Sequence, residues 1–131
     1  LMIIKDWIKK DGTGNSSVYR FEIGAHPEVL AEFEESFESI KQRYRNEQEY
    51  LSAKLMEKNA LVYWPEHWCR SFKRHCIKPL SFFLTRETEI PTDARIIVFH
   101  GAPDPHEAIV GVSGKWYRHF KPASWITEYW R

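Results

Sequence analysis

The stretch ARIIVFHGAPDPHE, residues 94 to 107, governs how the chain is read. Its apolar run, Ile96 to Phe99, is unbroken rather than alternating. Such a run suits a strand covered on both faces, and it predicts a central parallel strand. The run stops at His100, where Gly101 follows and Pro103 and Pro105 stiffen the next turn. Each proline fixes its own φ and restricts the residue before it. In open α/β sheets, ligands bind at the carboxyl ends of strands. Gly101 admits a close backbone approach there. The His100 imidazole, with an ordinary pKa of about 6.5, can ligate a metal or donate to a phosphate oxygen. A histidine that merely caps the strand is the alternative.

Working outward, the segment MIIKDWI, residues 2 to 8, reads as a short strand, and KKDGTGN as a turn punctuated by glycine. In SVYRFEIG the residues Val18, Arg20 and Glu22 alternate with Tyr19, Phe21 and Ile23. That period of two predicts a strand with its aromatic face inward, ended by Gly24. Pro27 opens a helix whose apolar stripe is Leu30, Phe33, Phe37, Ile40 and Tyr44. A second helix is predicted from Glu47 to Lys58, capped by Asn46 with Glu49 completing a capping box. LVYW, ending at Pro65, and CRSFK read as short strands, and residues 76 to 94 as irregular. A short terminal helix is expected after Pro122. The expectation is α/β, a mixed sheet with flanking helices, with residues 1 to 131 forming a single domain or part of one.

Bulk properties narrow the function classes. A formal net charge of +1 supplies no global field for nucleic acid or an acidic membrane. No apolar run approaches the roughly 20 residues of a spanning helix. Leu1 is not an initiating methionine, so the sequence reads as starting inside a longer protein or one residue before a true start at Met2. Cys69 and Cys76 are too few for a disulfide framework and are expected as free thiols in the cytoplasm. With His67 and His75 they do not make zinc-finger spacing. Six tryptophans and eight phenylalanines are enough to line a flat ligand groove as well as fill a core.

Three further stretches carry candidate chemistry. Asn15, Ser16 and Ser17 are small hydrogen-bonding groups before a strand, suited to sugar hydroxyls or to an ordinary turn. Glu47 and Gln48 open a helix at its positive end, which favours a carboxylate. In WPEHWCRSFK, Arg70 and Lys73 lie among Trp64, Trp68 and Phe72. Cations there can neutralise an anionic leaving group while an indole stacks on a sugar or base. A tight aromatic core with basic side chains reaching to water is the alternative. No Walker loop, Rossmann fingerprint or nucleophile elbow is present.

Taken in order, NSSV, Glu47-Gln48, WPEHWCRSFK and FHGAPDP resemble the C-terminal portion of a bacterial glycosyltransferase-like family with the GT-A, nucleotide-diphospho-sugar transferase fold. A more distant likeness is to the glycogenin-like and lipopolysaccharide galactosyltransferase group. Relative to that group, Ser17 replaces a glycine, Glu47 replaces an aspartate, and Gly101 follows His100 without a gap. The resemblance implies transfer of a sugar from a nucleotide-sugar donor to a glycan or lipid-linked acceptor, with no nucleic acid involved. It implies a cytoplasmic location, compatible with peripheral association at the inner membrane. Its catalytic pair would be Glu47 and Gln48. Asn15, Ser16, Ser17, Trp64, Trp68, Arg70, Lys73 and Gly101 would bind substrate, and His100 the metal. The family's Asp-x-Asp motif does not occur in this sequence, which would therefore be the acceptor-side half. Manganese or magnesium is then expected only together with the other half, and this chain alone would be inactive. The competing expectation is a non-catalytic carbohydrate-binding or structural module on the same scaffold.

Overall fold

Strand β1 (Met2–Lys5) is stopped by Asp6, whose Oδ1 accepts the N–H groups of Ile8 at 2.7 Å and Lys9 at 2.9 Å. The strand expected over residues 2 to 8 is shortened for that reason: the carboxylate offers the backbone a turn in place of a ladder. In this computed structural model, residues 1–79, 86–114, 116 and 119–130 are described. They divide into two compact units, Leu1–Glu66 and His67–Arg131. The class is α/β, with mixed parallel and antiparallel pairing and flanking helices.

In the first unit β1 lies between β2 (Gly14–Arg20), antiparallel, and β3 (Val62–Tyr63), parallel. Ile3 and Ile4 point to opposite faces and both are buried. Gly14 makes room for the first: a Cβ there would stand 2.7 Å from the Ile3 side chain. The inward aromatic face expected for residues 19, 21 and 23 is not found. Tyr19 is 46%, Phe21 52% and Ile23 94% exposed. β1 pairs with β2 only as far as Arg20, so the strand ends before the alternation does.

Three helices follow, α1 (Pro27–Glu35), α2 (Phe37–Arg43) and α3 (Glu47–Glu57). The single helix expected from Pro27 through Tyr44 is broken at Ser36. That residue donates its N–H to the Glu32 carbonyl at 3.0 Å, and its own carbonyl accepts from Ile40 N at 3.0 Å. The break rotates the stripe. Val29, Ile40, Tyr50 and Leu55 form the core, while Leu30 and Phe37 of the expected stripe are exposed. Asn46 caps α3 as expected, accepting from Glu49 N at 3.1 Å. The box is not closed on Asn46, however. The Glu49 carboxylate takes the Arg45 N–H at 2.8 Å and pairs with Lys9.

In the second unit β4 (Cys69–Ser71) pairs in parallel with β5 (Ile96–Val98). The parallel sense agrees with the sequence expectation; the central position does not. These two strands form a two-stranded sheet, and Ile96 and Ile97 are only half-buried. CRSFK is a strand for three residues and then a π-helical turn, Phe72–Cys76. Part of the irregular 76–94 segment is ordered by pairing. Ile77 bridges Thr88, Lys78 N donates to Glu87 O at 2.9 Å, and Glu89 N to Cys76 O at 2.9 Å. Residues 80–85 of that segment lie outside the described residues, as do 115, 117 and 118 of the aromatic tail. The proline loop is a helix start: α4 (Pro105–Ile109) opens at Asp104, whose N–H is taken by Glu107 Oε2 at 2.8 Å. The terminal helix is a 3-10 turn, Ser124–Glu128. Phe72 is the hub of this unit's core, stacked on Phe99 at 4.8 Å and edge-on to Phe120 at 5.5 Å.

Candidate functional site

Two constellations form, one in each unit. In the first, the start of β2, where its register with β1 is interrupted, meets the start of α3. Ser16 Oγ donates to Glu47 Oε1 at 2.7 Å, and Ser16 N to Gln48 Oε1 at 3.3 Å. Asn15, Ser16 and Ser17, expected before the strand, lie within it: Asn15 is buried, and its Oδ1 accepts from Ser17 N at 3.0 Å where the β1 register is interrupted. Two stretches about thirty residues apart in sequence are thereby joined. The cause is a buried anchor below them: Ser52, on α3, accepts the Gly14 N–H at 2.8 Å. This holds the strand start against the helix. Glu47 and Ser17 remain exposed, and Gln48 is half-buried. A carboxylate, an amide oxygen and hydroxyls converging on an open edge have the donors and acceptors that sugar hydroxyls need.

The second constellation lies at the carboxyl ends of β4 and β5. Ser71 Oγ is 2.7 Å from His100 Nε2, the proton lying on either atom according to tautomer. Lys73 Nζ donates to the His100 carbonyl oxygen. A Cβ added at Gly101 would stand 3.6 Å from the same Nζ, so the glycine backbone and the ammonium are neighbours. Gly101 has φ 63°, a left-handed conformation that a glycine adopts without strain. His75 Nδ1 accepts the Ser71 N–H at 2.8 Å, terminating the strand.

Of the residues singled out from sequence, Lys73, His100 and Gly101 are brought together. Arg70 is not placed with them by the strand, because alternation turns it to the face opposite Ser71. Trp68 sits at the other end of the pair, where its carbonyl accepts from Arg95 N and Ile96 N at 2.8 and 2.9 Å. Trp64 belongs to the first unit and extends the β3 ladder, its N–H donating to Ile3 O at 2.9 Å. Ser71 and His75 were not foreseen. Ser71 lies within a stretch read for its cations and indoles, and only the parallel pairing puts it beside a histidine 29 residues away.

The fit to a divalent metal is poor in the described residues. No group of three or more His, Cys, Asp or Glu side chains is gathered there. His100 Nε2 already faces Ser71, and the Lys73 ammonium close by opposes a second cation. Cys69 and Cys76 are free and buried, and burial pushes the Cys76 thiol up to about 12. Both are poor thiolate ligands in consequence. No helix of the described residues is long and apolar enough to cross a membrane. No family model, curated protein or solved structure matches this chain.

Proposed function

We propose that this chain is part of a glycosyltransferase, its second unit contributing groups that hold the diphosphate of a nucleotide-sugar and its first unit groups that hold the hydroxyls of a sugar acceptor. The observation that carries the reading is the second constellation. An ammonium, an imidazole and a glycine backbone gather where two parallel strands end, the position at which α/β proteins receive phosphate-bearing ligands. Lys73 would neutralise a departing diphosphate and His100 would donate to a phosphate oxygen, with Ser71 holding the ring. In the first unit Ser16 and Ser17, with Glu47 and Gln48, would take the acceptor's sugar hydroxyls, and Asn15, buried and accepting from Ser17 N, would hold the backbone between them. The sugar would leave the nucleoside diphosphate for an acceptor hydroxyl of a glycan or lipid-linked glycan. A manganese or magnesium ion on the diphosphate would need ligands beyond those the described residues gather, and no step is assigned to it.

The test is titration of the chain with uridine, guanosine and adenosine diphosphates, with and without manganese, followed by amide chemical shifts. Shifts at residues 71–73 and 100–102 are expected. Lys73→Ala should weaken binding roughly tenfold, as loss of a charge-assisted bond does, with the melting temperature little changed. Absence of shifts there for every nucleotide, in both conditions, overturns the reading. The non-catalytic carbohydrate module is favoured by one observation: within each constellation polar groups bond to one another, Ser16 to Glu47 and Ser71 to His100. Nucleoside-diphosphate shifts at residues 71–73 and 100–102 separate the two readings, because a carbohydrate module binds a sugar without the diphosphate.

A further inference from the structure

The first unit carries an apolar cavity of about 360 Å³ that the sugar-transfer reading leaves unused. Its floor is the unit's core, Val29, Tyr50 and Leu55, with the Tyr50 hydroxyl donating to Val29 O at 2.7 Å. Phe33 walls it, 5.7 Å from Tyr50 between ring centroids. The rim is built from the residues expected inside: Tyr19 and Phe21, stacked at 5.7 Å, and Leu30, 60% exposed. Three large apolar side chains bordering an open cavity are costly to leave in water, and such patches mark ligand grooves or interaction sites. The volume lies at the lower end of the range for small-ligand sites, roughly 300–1,000 Å³.

Two lining residues have a different character: His26, whose Nδ1 is 3.6 Å from Glu28 Oε1, and Glu47. Glu47 borders the cavity and is also the carboxylate that accepts the Ser16 hydroxyl. The apolar cavity and the polar constellation thus meet at a single side chain. A carboxylate only accepts, so the ligand must present donors at that end. It also repels an anionic head placed beside it, which disfavours a fatty-acid carboxylate at that end. Its neighbours Ser16, Ser17 and Gln48 are neutral hydrogen-bonding groups, matched to hydroxyls rather than to an ammonium.

We infer that this cavity binds the hydrocarbon portion of a neutral glycoside, its sugar hydroxyls meeting Glu47 and Ser16. The inference rests on the sugar-binding reading of residues 15–17 and 47–48, and it narrows the acceptor to one that carries an apolar aglycone.

The experiment titrates the whole chain with n-octyl β-D-glucoside below its micelle concentration, and with octanoate, octylammonium and glucose at the same concentrations. Amide shifts report the site. Octyl glucoside is expected to bind most tightly, moving Tyr19–Phe21, Val29–Phe33 and the start of α3. Leu30→Glu, an exposed change that spares the core, should weaken it roughly tenfold by placing a charge on the apolar rim. Glu47→Gln should weaken octyl glucoside by a smaller factor while improving octanoate. Equal or tighter binding of octanoate or octylammonium overturns the neutral head. No binding of octyl glucoside, or shifts elsewhere, overturns the site. Nucleoside-diphosphate titration reads residues 71–73 and 100–102 instead, so failure of the diphosphate reading and failure of this one register at different amides.

Discussion

Each unit joins a serine to a distant polar side chain, yet the two pairs rest on opposite physical grounds. Ser16 and Glu47 meet at an open edge, where water competes for every bond they make. Ser71 is fully buried, and its hydroxyl faces His100 above an aromatic core. A hydrogen bond in water is readily exchanged, whereas a buried hydroxyl that loses its partner leaves a desolvated group behind. The same residue type is therefore adaptable in the first unit and structural in the second.

The comparison is most severely tested at the second unit's core. Phe72→Ala should destabilise that unit by about 3–5 kcal/mol, the range for truncating a buried phenylalanine. Urea titration read at the Cys69–Ser71 amides measures it. A loss near 1 kcal/mol would mean that Phe72 is not the hub on which Phe99, Phe120 and Trp125 rest. Next in size is Ser71→Ala, expected to cost about 1–3 kcal/mol because the His100 nitrogen is left facing a methyl group. It should also move the side-chain nitrogen resonances of His100, which a loss of packing alone would leave in place. Ser16→Ala should cost less than about 0.5 kcal/mol, in line with an exposed substitution. Equal costs for the two serines would erase the contrast between the units.

The smallest effect at neutral pH belongs to Cys76. Burial, aided by Glu89, raises its thiol from the ordinary 9.0 to about 12. The folded state then holds the proton more tightly than the unfolded chain does. This contribution is fully present below about pH 9 and is lost as the pH rises toward about 12. Native alkylation at pH 8 should be slow at both cysteines and rapid in denaturant, with no change on adding reductant. Two thiols appearing only after reduction would contradict the free, buried state.

Legibility followed the range of the interaction. The α3 cap could be read at Asn46 because capping is complete within four residues. The α4 start was equally local. Asp104, Pro105 and Glu107 together spell an N-cap, a first-turn proline and the returning carboxylate, and reading the two prolines only as stiffeners missed it. The Tyr19–Phe21–Ile23 alternation misled because period two reports a strand's faces without saying whether anything covers them. The helix stripe misled because periodicity assumes an unbroken helix, and Ser36 closes one turn and opens another through two backbone bonds, its carbonyl also accepting the Ser39 hydroxyl at 2.9 Å. RIIVF predicted its parallel partner's sense correctly and its neighbours wrongly. An apolar run reports burial, and Ile97 and Phe99 of this run pack against the cluster of Phe72, Phe120 and Ala108 rather than lying between two flanking strands.

What the sequence by itself determined is the inventory of polar side chains and part of the local punctuation: the helix starts at Pro27 and Glu47 and the end of a short strand before Pro65. Turns, caps and first-turn prolines are decided over a few residues, so a linear reading reaches them. Tertiary structure alone decided which of those side chains meet. Ser52 under Gly14 brings Ser16 to Glu47, and the parallel register of Cys69–Ser71 with Ile96–Val98 brings Ser71 and Lys73 to His100. Those meetings depend on strand order and on buried anchors tens of residues away, and the free energy that selects them comes from burying Ile3, Leu55 and Phe72 rather than from the polar groups that become the site.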